Sequence, residues 1–298
     1  MNLKDKLKNI PKIYYINLDE RDDRKDFMES QFDTWKITNY ERYSASKYTL
    51  NNVKDWINQV NYSKNINLSN IKKTDAVLVA QTMTYIDIIE HWLRTTNDQY
   101  MIIFEDDYDL SMIEYWHFDW DFFMNNIPYD WDAIQLSYEN PVMYPCYLHP
   151  TLNVHGIGGI LINRYYAEKI MRLHKIEGKY CLNRDINNIS TYYWGDRGDE
   201  NGKHNPCPIL NIDYIISKNG RCYSIPLIYQ VSNMGQHMMK DVIKDLNKQI
   251  FKCCEDACRH WWINLRDEYT LKDFFQYGKP NDKVIKFKWT NEVMSVIL

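Results

Sequence analysis

The chain has 298 residues, 45% of them hydrophobic and 15% aromatic, so it can bury a large core and is not expected to be disordered. Its 36 basic and 40 acidic side chains give a net charge of -4, which excludes general electrostatic attraction to nucleic acid or to an anionic membrane. With seven cysteines and no apolar stretch that resembles a secretory signal or a membrane span, a cytoplasmic protein is expected.

The first predicted elements are a strand and a helix. Ile13 to Leu18 is a β-branched and aromatic run that ends at a charged segment, which is typical of a buried strand with a polar edge. From Thr74 the chain offers an N-cap and then apolar residues at three- and four-residue spacing, among them Val79 and Met83. This pattern predicts an amphipathic helix over 74–93.

The next predicted strand, Tyr100 to Phe104, is apolar throughout and is therefore expected at the centre of a sheet, covered on both faces. Two further strands are predicted at 132–137 and 159–163, and the second leads into a helix at 165–174. Strands that alternate with helices predict a layered α/β fold.

The second half of the chain is less regular. Residues 177–208 are polar and rich in turn formers, which predicts a long surface loop or lid. A strand is predicted near 223–228. Helical patterning returns after residue 240, so we predict a catalytic domain at 1–239 and a helical appendage at 240–298. This appendage would pair two protomers, pack on the domain or bind acceptor, and a homodimer is the preferred alternative.

Four acids directly follow the predicted central strand, where ligands bind in open α/β sheets: Glu105, Asp106, Asp107 and Asp109. The next residues add only more acid, so a bound cation would offset the repulsion. Oxygen ligands favour Mg²⁺ or Mn²⁺, either of which stabilises a nucleoside diphosphate as it leaves. The alternative is a solvated acidic loop.

Four blocks of sequence, in order, resemble glycosyltransferase family 25. They are IYYINLDERDDRK, the predicted helix that begins roughly sixty residues later, IFEDDYDL and GIGGILINRYYAEKI. This family includes procollagen galactosyltransferases and bacterial lipooligosaccharide galactosyltransferases. The resemblance implies a GT-A (Rossmann-like) nucleotide-sugar transferase fold, a UDP-sugar donor, and Mn²⁺ or Mg²⁺. The implied reaction transfers galactose or glucose to a hydroxyl of a glycan or of hydroxylysine in a collagen-like protein.

The resemblance also implies roles for single residues in the first half of the chain. Asp107 and Glu105 would bind the metal, and Glu105 and Asp106 would contact the nucleotide. The opening block would border the nucleotide through Asn17, Leu18, Arg21 and Arg24. For the two arginines the alternative is an ordinary surface charge.

Further roles fall in the second half. Asp213 would be the general base that deprotonates the acceptor hydroxyl, unless it only caps a turn. His237 would be a third metal ligand or a structural histidine. Gln230 and Ser232 would contact phosphate or sugar hydroxyls, and Gly159 would lie near the sugar pocket or form a tight turn.

The chain departs from the family where a Ser-His pair is usual, because Ala80-Gln81 stands there. Gln81 can form a hydrogen bond to a ligand but cannot carry charge. This departure keeps open a catalytically inactive nucleotide-sugar-binding protein. A metal-dependent phosphodiesterase, in which the same acids activate water, is the other alternative. Another group, Cys253, Cys254, Cys258 and His260, is read as ordinary helix residues, with a zinc site as the alternative.

Overall fold

The centre of the molecule is a mixed sheet of seven strands. The computed structural model describes residues 5–61, 73–137, 143–145, 147–150, 159–182, 211–231, 242–268, 270–275, 284–290 and 293–297. The strands, from one edge to the other, are β2 (Tyr40–Ser44), β1 (Lys12–Asn17), β4 (Tyr100–Glu105), β9 (Gly159–Asn163), β6 (Ala133–Gln135), β12 (Cys222–Ser224) and β8 (His149–Pro150). β1 is parallel to both β2 and β4, whereas β9 is antiparallel to β4 and β6.

Helices cover both faces of this sheet. On one face lie α1 (Asp22–Trp35), α4 (Trp120–Asn126) and α7 (Val242–His260), and on the other α3 (Lys73–Thr95), α5 (Arg164–His174) and α6 (Ile212–Lys218). The side chains of β4 alternate between these two layers: Ile102 and Phe104 belong to one hydrophobic cluster, Met101 and Ile103 to the other. The predicted α/β class and the central position of this strand are therefore confirmed.

Short elements complete the described fold. They are α2 (Val53–Trp56), β3 (Val60–Asn61), β5 (Tyr108–Asp109), β7 (Met143–Pro145), β10 (Lys175–Ile176), β11 (Lys179–Cys181), β13 (Tyr229–Gln230), α8 (Leu271–Phe275), β14 (Val284–Thr290) and β15 (Val293–Ile297). Three small sheets form from them, in the orders β10-β11-β3, β13-β5 and β15-β14-β7. The pair of β13 with β5 matters most for function, because it brings a late segment of the chain to the acidic triplet.

The predicted amphipathic helix is α3. Its apolar positions Val79, Met83, Ile86 and Ile89 are all fully buried, so the three- and four-residue spacing identified the face that packs on the sheet. The predicted strand at 223–228 is shorter than expected, because only Cys222–Ser224 pairs with the sheet.

The predicted loop at 177–208 starts too early. β10 and β11 form a hairpin whose turn is Glu177-Gly178. Both residues have positive φ, 50° and 77°, as a tight two-residue hairpin turn requires. Residues 183–208 of the predicted loop lie outside the described residues.

The carboxy-terminal part is helical only in its first half. α7 continues through a π-helical turn, Trp261–Leu265, and α8 follows, but β14 and β15 are strands where helix was predicted. Trp262 packs edge-to-face on Phe118 and Phe274 packs on it at a tilt, so the segment packs on the layer that covers the sheet. Homodimer formation stays a prediction.

The described part of α7 buries three thiols, Cys253, Cys254 and Cys258, in the hydrophobic cluster that also contains Phe118 and Trp262. This is what is expected of ordinary helix residues. Within the described ranges, no helix combines the length and the apolar character that crossing a bilayer requires.

Candidate functional site

The acidic triplet lies at the carboxyl end of β4, beside the end of the parallel strand β1. The register pairs Ile16 with Glu105, so Asn17 comes next to Asp106. Asn17 is buried, and its Nδ2 donates to Asp106 Oδ2 at 2.7 Å and to the carbonyl of Arg21 at 3.1 Å. Asn17 therefore joins the triplet to the segment that starts α1.

A buried arginine supplies the positive charge that the triplet lacks in the local sequence. Arg24 Nη1 in α1 lies 2.6 Å from Asp106 Oδ1 and 3.2 Å from Asp107 Oδ2. The residues that follow the triplet add only acid, and the compensating charge comes from α1, which brings Arg24 to the triplet across 82 sequence positions. Because Arg24 is buried and paired with two carboxylates, it is not an ordinary surface charge.

Asp106 is held on both carboxylate oxygens, one by Asn17 and the other by Arg24. It thus links the ends of two strands and a helix, and its predicted contact with the nucleotide stays a prediction. Asp109 accepts a hydrogen bond from the backbone N–H of Ser111 at 2.7 Å and so begins the short 3₁₀-helix Ser111–Tyr115.

Asp107 is the least exposed acid of the triplet, with 5% of its surface exposed. Its Oδ2 accepts a hydrogen bond from Gln230 Nε2 at 3.0 Å, and its carbonyl accepts one from the backbone N–H of Val231. Its Oδ1 is buried and has no hydrogen-bond partner among the described residues. Burial raises the pKa of Asp107, although the charge of Arg24 acts in the opposite direction.

Glu105 accepts two hydrogen bonds on one oxygen. Gln81 Nε2 donates to Oε1 at 2.6 Å, and the hydroxyl of Tyr85 donates to the same atom at 3.2 Å. Burial, and after it the charge of Asp107, raises the pKa of Glu105 to about 8. Gln81, placed at the site by resemblance alone, therefore contacts the triplet directly.

Sequence reasoning missed Tyr85, although a signal was present. Gln81 and Tyr85 are four residues apart in α3 and so lie on one helix face. α3 is itself fixed by Asp87, whose buried carboxylate accepts hydrogen bonds from the hydroxyl of Tyr48 at 2.7 Å and from Lys175 Nζ at 3.0 Å. This network anchors the helix one turn from the site.

Asp213 lies within electrostatic reach of the triplet, because its charge contributes to the raised pKa values of Glu105 and Tyr85. It occupies the first turn of α6. The capping role considered for it belongs to Asn211, whose Oδ1 accepts a hydrogen bond from the backbone N–H of Tyr214 at 3.2 Å. The fold thus brings the charge of Asp213 near enough to Glu105 to raise its pKa, although the two residues are far apart in sequence.

The remaining predicted residues have other surroundings. Arg21 forms a two-pronged ion pair with Asp23, at 2.7 and 2.6 Å. Leu18 is half-buried, and its carbonyl accepts a hydrogen bond from Arg21. At Gly159 an added Cβ would lie 3.2 Å from Ile228 Cδ1, so close packing in β9 explains this glycine. Ser232 and His237 lie outside the described residues.

In the ranges that the structure describes, no three His, Cys, Asp or Glu side chains come together as a metal-binding set. In the described part of the site, the candidate metal ligands are the carboxylate oxygens of Glu105 and Asp107.

Comparisons with known proteins identify no family. No protein-family model matches the chain, and no curated protein matches it. Among solved structures, the chain is similar to A197 from STIV, with a TM-score of 0.34 and 12% identity over 74% of this chain and 86% of that chain. A likeness of this size carries no argument about function.

Proposed function

We propose that this chain is a metal-dependent glycosyltransferase that moves a hexose, galactose or glucose, from a UDP-sugar to a hydroxyl of a glycan or of a collagen-like protein. The observation that carries the proposal is Asp107 Oδ1, a buried acceptor without a partner in the described residues, beside Glu105 at the carboxyl end of the central strand. The mixed α/β sheet is compatible with a GT-A fold.

The side chains at this point suit a hard divalent cation. Asp107 and Glu105 present carboxylate oxygens, which Mg²⁺ and Mn²⁺ prefer. Burial raises the pKa of both carboxyl groups, and the charge of Asp107 raises that of Glu105 further; a bound cation would favour the charged form of both. A bound cation supplies Lewis-acid stabilisation of the nucleoside diphosphate as it leaves.

The chain's own residues carry the other steps. Asp213 would take the proton from the acceptor hydroxyl, whose oxygen then attacks the anomeric carbon while the bond to the diphosphate oxygen breaks. Gln81 and Tyr85 orient Glu105 through its Oε1. Arg21 lies just before α1, and its pKa is raised mainly by Asp23 and also by the nearby charges of Asp106 and Asp107.

The first test replaces Asp107 by Asn, which keeps the shape of the side chain and removes its charge. We expect Mn²⁺-dependent hydrolysis of the UDP-sugar to fall by on the order of a hundredfold or more, as for loss of a group that stabilises developing charge. Release of UDP from a panel of UDP-hexoses, measured with and without Mn²⁺, is the assay.

Asp109→Asn is the matched control, since Asp109 begins a short helix and its replacement keeps an acceptor oxygen. Both variants should retain the wild-type melting temperature within a few degrees. Unchanged turnover in Asp107→Asn contradicts the proposal. Release of UMP or phosphate in place of UDP would favour a phosphodiesterase, and binding of UDP-sugar without turnover would favour an inactive binding protein.

A further inference from the structure

Arg24 has contacts that a role at the edge of the nucleotide does not explain. The residue is 9% exposed, and its guanidinium is bonded to Asp106 Oδ1 and lies 3.2 Å from Asp107 Oδ2. It therefore pairs with the same carboxylate that is proposed to hold the metal.

The triplet needs such a charge whenever no divalent cation is bound. Two adjacent buried carboxylates repel each other, and burying either without a counter-charge is unfavourable. Arg24 opposes the effect of burial on Asp107. The same positive charge repels a divalent cation that approaches Asp107, because buried charges are poorly screened.

We propose that Arg24 is the resident counter-ion of this site: it stabilises the fold when no cation is bound, and it weakens the binding of Mn²⁺ at Asp107. This inference rests on the proposed function, which places a cation at Asp107. Arg24 would thus act on the cation only indirectly, through the carboxylates of Asp106 and Asp107 with which it is paired.

The test is titration of Mn²⁺ into wild-type protein and Arg24→Met by calorimetry, without nucleotide. Methionine keeps much of the side chain's length and removes its charge. We expect Arg24→Met to bind Mn²⁺ on the order of tenfold more tightly, because an adjacent positive charge is gone. In EDTA it should melt at a lower temperature than wild type, and Mn²⁺ should raise its melting temperature by more.

Arg21→Met is the matched control. Arg21 lies just before α1, but its guanidinium is bonded to Asp23. Its replacement should change Mn²⁺ affinity by less than the replacement of Arg24. If Arg21→Met changed the Mn²⁺ affinity as much as Arg24→Met or more, the effect would come from the overall charge of the protein, and the role of Arg24 would be overturned.

A second pair of variants serves if Arg24→Met does not fold. Asp106→Asn removes one buried charge, and Asp106→Asn with Arg24→Met removes the charged pair together. The double variant should bind Mn²⁺ on the order of tenfold more tightly than Asp106→Asn alone, for the same electrostatic reason. Equal affinities in this pair would overturn the inference.

The two levels of proposal fail in different ways. If wild-type protein binds Mn²⁺ and Arg24→Met binds it no more tightly, the inference on Arg24 is wrong and the metal-dependent function stands. If neither protein binds Mn²⁺ or Mg²⁺, with or without UDP, both the inference and the metal part of the proposed function are wrong.

Discussion

Glu105 is subject to opposing interactions that decide its charge. Its Oε1 accepts hydrogen bonds from Gln81 and Tyr85, and the bond from Gln81 favours the charged carboxylate. Burial and the neighbouring charge of Asp107 favour the protonated form and outweigh it. The raised pKa, about 8 against an ordinary 4.5, means that the folded state binds a proton that the unfolded state has already released at intermediate pH.

This difference predicts how stability depends on pH. Between about pH 4.5 and pH 8 the folded state binds more protons than the unfolded state, so the free energy of unfolding should fall as pH rises. The contribution of one group has a slope of at most about 1.4 kcal/mol per pH unit and levels off above its folded pKa. Urea denaturation at several pH values in EDTA measures it.

Glu105→Gln is the control for that experiment. Glutamine keeps an oxygen that accepts from Gln81 and Tyr85 and does not titrate. Its free energy of unfolding should vary less steeply over the same pH range. A slope equal to that of the wild type would assign the pH dependence to other groups.

At this scale the sequence pattern identified the acids, and the family resemblance added Asn17, Arg24 and Gln81 to the site, but neither gave the bonds between them. Glu105, Asp106 and Asp107 were predictable because a five-residue apolar strand delivers them to a sheet edge. The ion pair of Arg24 with Asp106 was not, since it depends on how α1 packs and spans 82 positions. Local charge counting therefore gave the wrong surroundings for a correctly located cluster.

Among the elements, the 3₁₀-helix Ser111–Tyr115 depends on one buried lysine. Lys6 Nζ donates to the carbonyls of Ile113, Glu114 and Trp116, at 3.0, 2.6 and 2.7 Å. This helix follows the triplet directly, so Lys6 fixes the segment that leads away from the site.

Replacing Lys6 by Met should therefore destabilise the protein. The carbonyls of Glu114 and Trp116 lose the Lys6 donor, that of Ile113 keeps only the backbone N–H of Trp116, and an unsatisfied buried polar group costs about 1–3 kcal/mol. We expect a loss of about 3 kcal/mol or more in the free energy of unfolding, measured by urea denaturation. Lys8→Met is the matched control, because Lys8 is exposed, and its effect should stay within about 0.5 kcal/mol. Equal effects of the two changes would contradict the role of Lys6.

The elements were predictable where a repeating pattern defines them. α3 and α5 follow from apolar spacing alone, and their buried faces match it. The 3₁₀-helix was not predictable, because its stability comes from Lys6 and from Arg266, which donates to the carbonyl of Tyr115. Neither residue is near it in sequence.

Considered as a whole, the molecule uses its carboxy-terminal helices to complete the layer over the sheet. Trp262 is fully buried, donates through Nε1 to the carbonyl of Pro226 at 2.6 Å, and packs edge-to-face on Phe118. The predicted division at residues 239 and 240 therefore runs through a shared hydrophobic cluster.

Trp262→Ala tests this packing. Loss of a buried Trp typically costs about 3–5 kcal/mol, and here it would also leave the carbonyl of Pro226 without this donor. We expect a melting temperature many degrees lower, measured by calorimetry. Ile263→Ala is the matched control, because Ile263 is 39% exposed and should cost much less. Similar melting temperatures for the two variants would show an independent appendage.

The topology was the part least accessible from sequence. The predicted alternation of strands and helices gave the class, but the antiparallel direction of β9 and the pairing of β13 with β5 depend on contacts between distant segments. The pairing of β14 with β7 joins residues 284–286 to 143–145 in the same way. Periodicity within one segment contains no information about such partners.

The 3₁₀-helix beside the triplet has a consequence for synthesis on the ribosome. Lys6 and Arg266, which both bind its carbonyls, are separated by nearly the whole chain. A nascent chain emerges from its amino terminus, so the sheet strands β1 and β4 are available long before Arg266 is. The segment after the acidic triplet can therefore acquire its full set of contacts only when translation is almost finished, and the order of synthesis delays maturation of the site.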